Sequence, residues 1–264
     1  MPGIKDSPHI LDMHSHFLIN AQLLGKRFDR SHGSAWLWNP FRNQYDLPRA
    51  RAGGVSGATF TIYIPHWPPL LGGGMRAVRA AKRRFDLILE QCGGEVVHCT
   101  SAEGVRKAVA AGKFAAPLSL EGAHVIGADL ENLRELRSMG VRMVTLVHFL
   151  STRVGEAVWG GAREGGLTSF GREAVKEMQR LGMIVDLSHS SRGTFDAALA
   201  LAESPYVVSH SGFTGAGAGS RGLDDDQIRA IRDTGGVMGV IFFPWYLKKR
   251  TIFAGIELVA DHIA

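Results

Sequence analysis

Gly171-Arg-Glu-Ala-Val-Lys-Glu-Met-Gln-Arg-Leu-Gly-Met-Ile-Val-Asp-Leu-Ser-His189 reads as helix, stop and strand in one short run. Ala174, Val175, Met178 and Leu181 recur at the spacing of one helix face, and Gly182 stands where a left-handed cap suits glycine. The apolar run that follows, 183–189, is strand-like and ends in an imidazole. An ionisable residue closing an apolar strand is poor core material and good site material.

The unit recurs along the chain. Strand patterns at 10–16, 56–65, 116–121, 142–148, 183–189, 206–210 and 237–243 alternate with helical ones at 76–91, 102–111, 130–139, 171–181, 194–202 and 225–234. Gly140 and Gly235 sit, like Gly182, just past helix ends. Near-continuous apolar strands alternating with helices predict an α/β fold with a parallel sheet under helices. This many repeats predicts a (β/α)8 TIM-type barrel as one domain over 1–264, with a long first βα loop, 17–54, carrying Trp36, Trp38, Phe41 and Tyr45. Seven strands are legible where such a barrel has eight, and only 247–250 and a helical tail, 251–264, follow the seventh. The expectation is a barrel truncated before its eighth strand. No dinucleotide-type glycine fingerprint follows the first strand.

Composition removes several function classes. Hydrophobic residues at 45% and charged residues at 21% are those of a soluble globular chain. No apolar run has the length of a membrane span and no signal-type apolar stretch opens the chain, so a cytoplasmic location is expected. Cys92 and Cys99 are too few for a disulfide framework. The net charge of +5 includes Arg76, Arg79, Lys82, Arg83 and Arg84, which read as a solvated helix face. Nucleic-acid binding would require a wider basic stripe with stacking aromatics, so no nucleic-acid or membrane partner is expected.

The barrel reading places chemistry at the C-terminal ends of strands, where His16, Glu121, His148, His189 and His210 fall. In Ile10-Leu-Asp-Met-His-Ser-His-Phe17, a strand would project His14 and His16 from one face. His14, His16, His189 and His210 with Glu121 are four imidazoles and a carboxylate, more than one tetrahedral zinc with an open position takes. They suit two zinc ions about 4 Å apart sharing a bridging carboxylate and hydroxide. Glu121 is assigned the bridge, His14 and His16 one metal, His189 and His210 the other. The Ser209-His210-Ser211 cluster lacks the rest of a catalytic triad, and no nucleophile elbow is present. The run from Gly215 to Arg221 reads as a glycine-rich active-site loop, and the Arg221 guanidinium suits a carboxylate. His124, three residues past Glu121, is read as structural or as a support behind the metal ligands.

Beyond single residues, the chain resembles the membrane (renal-type) dipeptidase family of zinc peptidases. The resemblance is carried by Asp46-Leu-Pro-Arg-Ala-Arg-Ala-Gly-Gly-Val55, Ser119-Leu-Glu-Gly-Ala-His124, Gly165-Gly-Leu-Thr-Ser-Phe-Gly171, Met178 through His189, Val208-Ser-His-Ser211 and Ser220-Arg-Gly-Leu-Asp-Asp-Asp-Gln227. It implies hydrolysis of dipeptides, with His14 and Glu121 on a first zinc and Glu121, His189 and His210 on a second. It implies that His148 contacts substrate and helps stabilise the tetrahedral intermediate, and that Arg221 receives the dipeptide's C-terminal carboxylate. Three departures stand out. His16 replaces the aspartate of the family's His-x-Asp, Ser151 stands where an asparagine is common, and the family's Gly-x-Gly-x-Asp-Phe-Asp-Gly segment has no counterpart.

The expected function is therefore binuclear zinc hydrolysis of dipeptides. Two alternatives accompany it: hydrolysis of other amides or lactones, suggested by His16, and a catalytically inactive fragment. Barrels of this sort are commonly homodimers, though no interface is legible in the sequence.

Overall fold

A computed structural model describes residues 9–32, 45–66, 74–160, 166–248 and 255–263. Trp36, Trp38 and Phe41 lie outside the described residues, as do 161–165 and the start of the expected tail, 251–254. In chain order the elements are β1 (Ile10–Ser15), α1 (Phe17–Leu24), α2 (Leu47–Ala52), β2 (Val55–Tyr63), α3 (Met75–Gln91), β3 (Val96–His98), α4 (Ala102–Ala110), β4 (Phe114–Ala116), β5 (Leu118–Glu121), α5 (Glu131–Ser138), β6 (Val141–Thr145), α6 (Ser169–Arg180), β7 (Ile184–Asp186), α7 (Arg192–Leu199), β8 (Val207–Ser211), α8 (Asp225–Asp233), β9 (Val237–Val240), α9 (Pro244–Leu247) and α10 (Ile256–Ala260). The strand pairings below are parallel, so the α/β class is the one the sequence predicts. Gly140, Gly182 and Gly235 have φ of 92°, 63° and 76°, the left-handed values their cap positions require.

The chain divides into two compact units, one of residues 1–120 and 136–142, the other of 121–135 and 143–264. In the first, β1 pairs with β2, β2 with β4, and β4 with β3. Gly57 is required where β2 meets β4, because a Cβ there would lie 2.7 Å from the Ala115 carbonyl. The interior of this unit is aromatic. Phe17, Phe28, Phe60, Phe85 and Phe114 are buried, with ring centroids 4.8 Å apart for Phe17–Phe28, 5.1 Å for Phe28–Phe60 and 5.4 Å for Phe60–Phe85. Helix α3 packs Val78, Ala81, Phe85 and Ile88 inward and leaves Arg76, Arg79 and Arg83 exposed, as its charge pattern predicts. Asp46 caps α2, accepting the Arg49 amide at 2.9 Å and pairing with its guanidinium at 2.9 Å, which gives the Asp46-Leu-Pro motif a structural role.

In the second unit β6, β7, β8 and β9 pair in sequence order. Helix α8 begins with a capping box between Asp224 and Gln227. Helix α6 is capped by Thr168, which accepts from the Gly171 amide at 2.9 Å.

Several elements differ from the sequence reading. Strand β3 is too short to leave a periodic signal. The single strand expected at 116–121 is split into β4 and β5 at Pro117, which has no N–H for the ladder. The stretch 17–54, read as a loop, holds α1 and α2. The seventh expected strand stops at Val240, and Pro244 opens the short helix α9. No helix among the described residues is long and apolar enough to cross a membrane.

Candidate metal centre

In the first unit, β1 ends at Ser15, and His16 is the N-terminal flanking residue of α1. His14 and His16 therefore meet across a strand-to-helix turn rather than by strand alternation. Their Nε2 atoms are 3.0 Å apart. His14 is half-buried, with its amide donating to Asp12 Oδ1 at 3.0 Å and its Nδ1 3.5 Å from Thr61 Oγ1. His16 is exposed and meets the Tyr63 ring edge-on at 5.9 Å.

In the second unit, Glu121 is the last residue of β5 and is fully buried. Around its Oε1 converge the Nε2 atoms of His189 at 3.1 Å, His210 at 3.3 Å and His148 at 3.5 Å. His189 and His210 face each other Nε2 to Nε2 at 2.9 Å. His210 lies within β8, whereas His148 and His189 stand three residues beyond β6 and β7. His189 has a φ of 66°, the only positive value of a non-glycine residue among those described. Three residues past the end of β7, this left-handed turn aims the imidazole at Glu121. Val158 fixes the turn by donating its amide to the His189 carbonyl at 2.9 Å.

The electrostatics suit a cation. Burial, and after it the Arg221 charge, hold the His189 pKa well below the usual imidazole value, so the ring is neutral with a lone pair to offer. Arg221 is buried and donates from Nη2 to the His210 carbonyl at 2.9 Å. Burial lowers its pKa to about 10, against the raising influence of Asp186 and Glu121, so it remains a cation at neutral pH. Its Nε finds no acceptor among the described residues, which leaves a buried donor suited to an incoming carboxylate. Tyr246 covers the guanidinium at 5.9 Å, and a cavity of about 70 Å³ lined in part by His189, Ser190, Ser220 and Arg221 lies beside it.

Neutral imidazole nitrogens around a carboxylate are a zinc-type donor set. Glu121, His148 and His189 alone bring three ligand atoms within 4.8 Å of one another. Within the second unit the structure thus gathers Glu121, His189 and His210 as the sequence predicts, and places His148 among them. Within the first it pairs His14 with His16. The glycine-rich segment before Arg221 is pinned at its base, with Thr214 and Leu223 exchanging an amide-to-carbonyl bond of 2.9 Å. Ser151 accepts from the Ala157 amide at 3.2 Å, and His124 lies in a 3-10 turn, Ala123–Ile126. Sequence reading left Asp186 without a role. It is fully buried under the histidines, and its position at the head of Asp186-Leu-Ser-His189 was the available signal.

Fold and site together define an α/β scaffold whose parallel strands carry histidine and carboxylate donors fit for a metal ion. The chain belongs to the membrane dipeptidase family, peptidase family M19, whose sequence profile matches residues 4–264. Mouse Dipeptidase 3 is 31% identical over 266 residues, covering 98% of this chain and 52% of its own length. Rat Dipeptidase 3 matches with the same figures, so the chain spans about half the length of these curated relatives. Among solved structures, the dipeptidase AC, a metallopeptidase of family M19, superimposes with a TM-score of 0.83 at 29% identity, over 97% of this chain and 79% of that one. A metallopeptidase from Rhodobacter sphaeroides, liganded with a phosphinate mimic of the dipeptide L-Ala-D-Ala, gives 0.82 at 28% identity, over 98% and 81%.

Proposed function

We propose that this chain carries the site of a binuclear zinc dipeptidase. The observation that supports it most is the convergence of three imidazole Nε2 atoms on the buried Glu121 Oε1, next to a buried arginine. In this reading Glu121 would be shared by two zinc ions, with His14 and His16 helping to hold the first and His189 and His210 the second. Bound there, zinc would supply Lewis-acid chemistry, lowering the pKa of a water and polarising a carbonyl.

The protein's own groups do the rest. Arg221, a buried cation with an unfilled donor, receives the C-terminal carboxylate of the dipeptide and sets the register of the peptide bond. His148 stands at the edge of the cluster, its ring 4.3 Å from that of His189, and offers an N–H to the oxygen on which negative charge develops. Burial of Glu121 and His189 removes competing water and strengthens each of these interactions. The same proposal makes 1–264 one catalytic barrel domain. It also places the protein in the cytoplasm, in keeping with two free, buried cysteines, and allows a homodimer as its working form.

The test is turnover of a dipeptide and of its C-terminal amide, after chelation and after zinc is restored. The expected result is zinc-dependent cleavage of the free acid and little of the amide. His16, where the family resemblance leads one to expect an aspartate, favours a second reading in which other amides or lactones are cleaved. Turnover of an N-acyl amino acid or acyl-lactone with dipeptides inert would select it. A zinc-loaded chain with no turnover on any of these would identify an inactive member.

A further inference from the structure

Asp186 ends β7 and is fully buried, yet it touches no imidazole nitrogen among the contacts of the metal centre. Its Oδ1 accepts the amides of Ser188 at 3.0 Å and Ser209 at 2.9 Å. Its Oδ2 accepts the hydroxyls of Thr145 at 2.6 Å and Ser209 at 2.7 Å. The Ser209 oxygen in turn lies 2.8 Å from His210 Nδ1. A serine hydroxyl has a single proton, and here that proton goes to the carboxylate. Toward His210 the serine can only accept, so Nδ1 must carry the hydrogen. Imidazole then keeps its lone pair on Nε2, the atom that faces Glu121 at 3.3 Å.

Ser188 supports the same arrangement from the other side. Its oxygen accepts the His210 amide at 3.2 Å and lies 3.2 Å from Ser209 Oγ. The chain of contacts runs carboxylate, serine, histidine. In a hydrolytic triad the histidine stands in the middle and the serine is the nucleophile. Here Ser209 is buried and its proton is committed to Asp186, so it has no path to act as one.

We infer that Asp186 is a positioning residue of the metal centre: acting through Ser209, it fixes the tautomer and orientation of His210 so that Nε2 is available to a metal ion. The inference rests on the proposed role of His210 as a ligand. It predicts an unusual sensitivity to a nearly isosteric change. In Asp186→Asn, the two backbone amides hold the side-chain oxygen, which turns the NH2 group toward Thr145 and Ser209. Ser209 then receives a proton from the amide and gives its own to His210 Nδ1. The imidazole hydrogen moves to Nε2, and the lone pair is lost to the metal.

The experiment has two readouts. The first is ¹⁵N NMR of the metal-free protein, which reports which ring nitrogen of His210 is protonated. The second is zinc or cobalt titration of the same proteins. Wild type is expected to show Nδ1–H. Asp186→Asn is expected to show Nε2–H and to bind one ion about 10–100-fold more weakly. Thr145→Val removes a hydrogen bond from the same carboxylate oxygen without reversing Ser209, so tautomer and affinity should stay near wild type. If Asp186→Asn does not fold, Ser209→Thr and Ser209→Ala replace it: the hydroxyl of threonine should preserve Nδ1–H and affinity, and alanine should lose both. Equal losses in Thr145→Val and Asp186→Asn, or an unchanged His210 tautomer in the latter, would overturn the inference. A wild-type protein that binds no metal, with the tautomer shift still present, would instead remove the metal-centre reading and leave the relay.

Discussion

The two histidine pairs present the same geometry and are held in different ways. His14 and His16 face each other at 3.0 Å and His189 and His210 at 2.9 Å, Nε2 to Nε2 in both. The first pair sits on a strand with irregular register and a one-residue turn, half-buried and exposed respectively. The second is 3% and 6% exposed and is held by a left-handed backbone, a buried carboxylate and a hydroxyl relay. Each of these buried contacts restricts where the second pair can sit. An exposed pair is under no such constraint and can be altered more freely. On this account the His189–His210 position binds its ion tightly and the His14–His16 position binds loosely.

The largest effect should come from His189→Ala. It removes a proposed ligand from the buried pair, so metal affinity and turnover should fall by more than the about 10–100-fold expected of a supporting residue. Near-wild-type metal content in this variant would break the comparison. Phe60→Ala acts on the scaffold instead. Phe60 is fully buried, and its position in β2 pairs with Ser15 beside the first histidines. Loss of the ring should cost about 3–5 kcal/mol in a denaturant titration while leaving the affinity of the buried pair's ion intact. His16→Asp should be milder, tightening or preserving the looser ion by restoring a carboxylate, as read by competition with a chromogenic chelator.

The smallest effect concerns pH. His98 in β3 is lowered in pKa chiefly by burial, with a lesser raising effect from the Gly140 carbonyl. The unfolded chain takes up a proton on this residue below about pH 6.5, while the folded protein resists it. Its contribution to stability is therefore full above that pH and is lost as the pH falls toward the depressed folded value. Urea titrations of metal-free protein at several pH values should show this decline, and His98→Gln should make it shallower. Burial alone lowers a histidine in either unit, so acid sensitivity does not by itself mark a metal ligand.

Much of this was legible in the residues. Helix positions followed from apolar spacing and from the glycines at 140, 182 and 235, each of which marks a helix end. Glu121, His148, His189 and His210 stood out because charge or imidazole ended an otherwise apolar strand. What the sequence concealed has physical reasons. Strand β3 is three residues long and pairs with β4, too short for a pattern. The His14–His16 approach depends on a strand ending one residue earlier than alternation implies. Asp186 reads in sequence as one more polar residue near a strand end. Its importance lies in contacts with Thr145 and Ser209, which are distant along the chain.

The central claim is that Glu121 and its histidines form a metal centre, and metal binding tests it without reference to any substrate. Metal-free protein and its Glu121→Gln variant should be titrated with zinc by calorimetry. The account expects two ions per wild-type chain, one tight and one loose, and weaker binding of both in the variant, where the charge proposed to be shared between them is gone. Identical binding by the two proteins, or no binding by wild type, would contradict it.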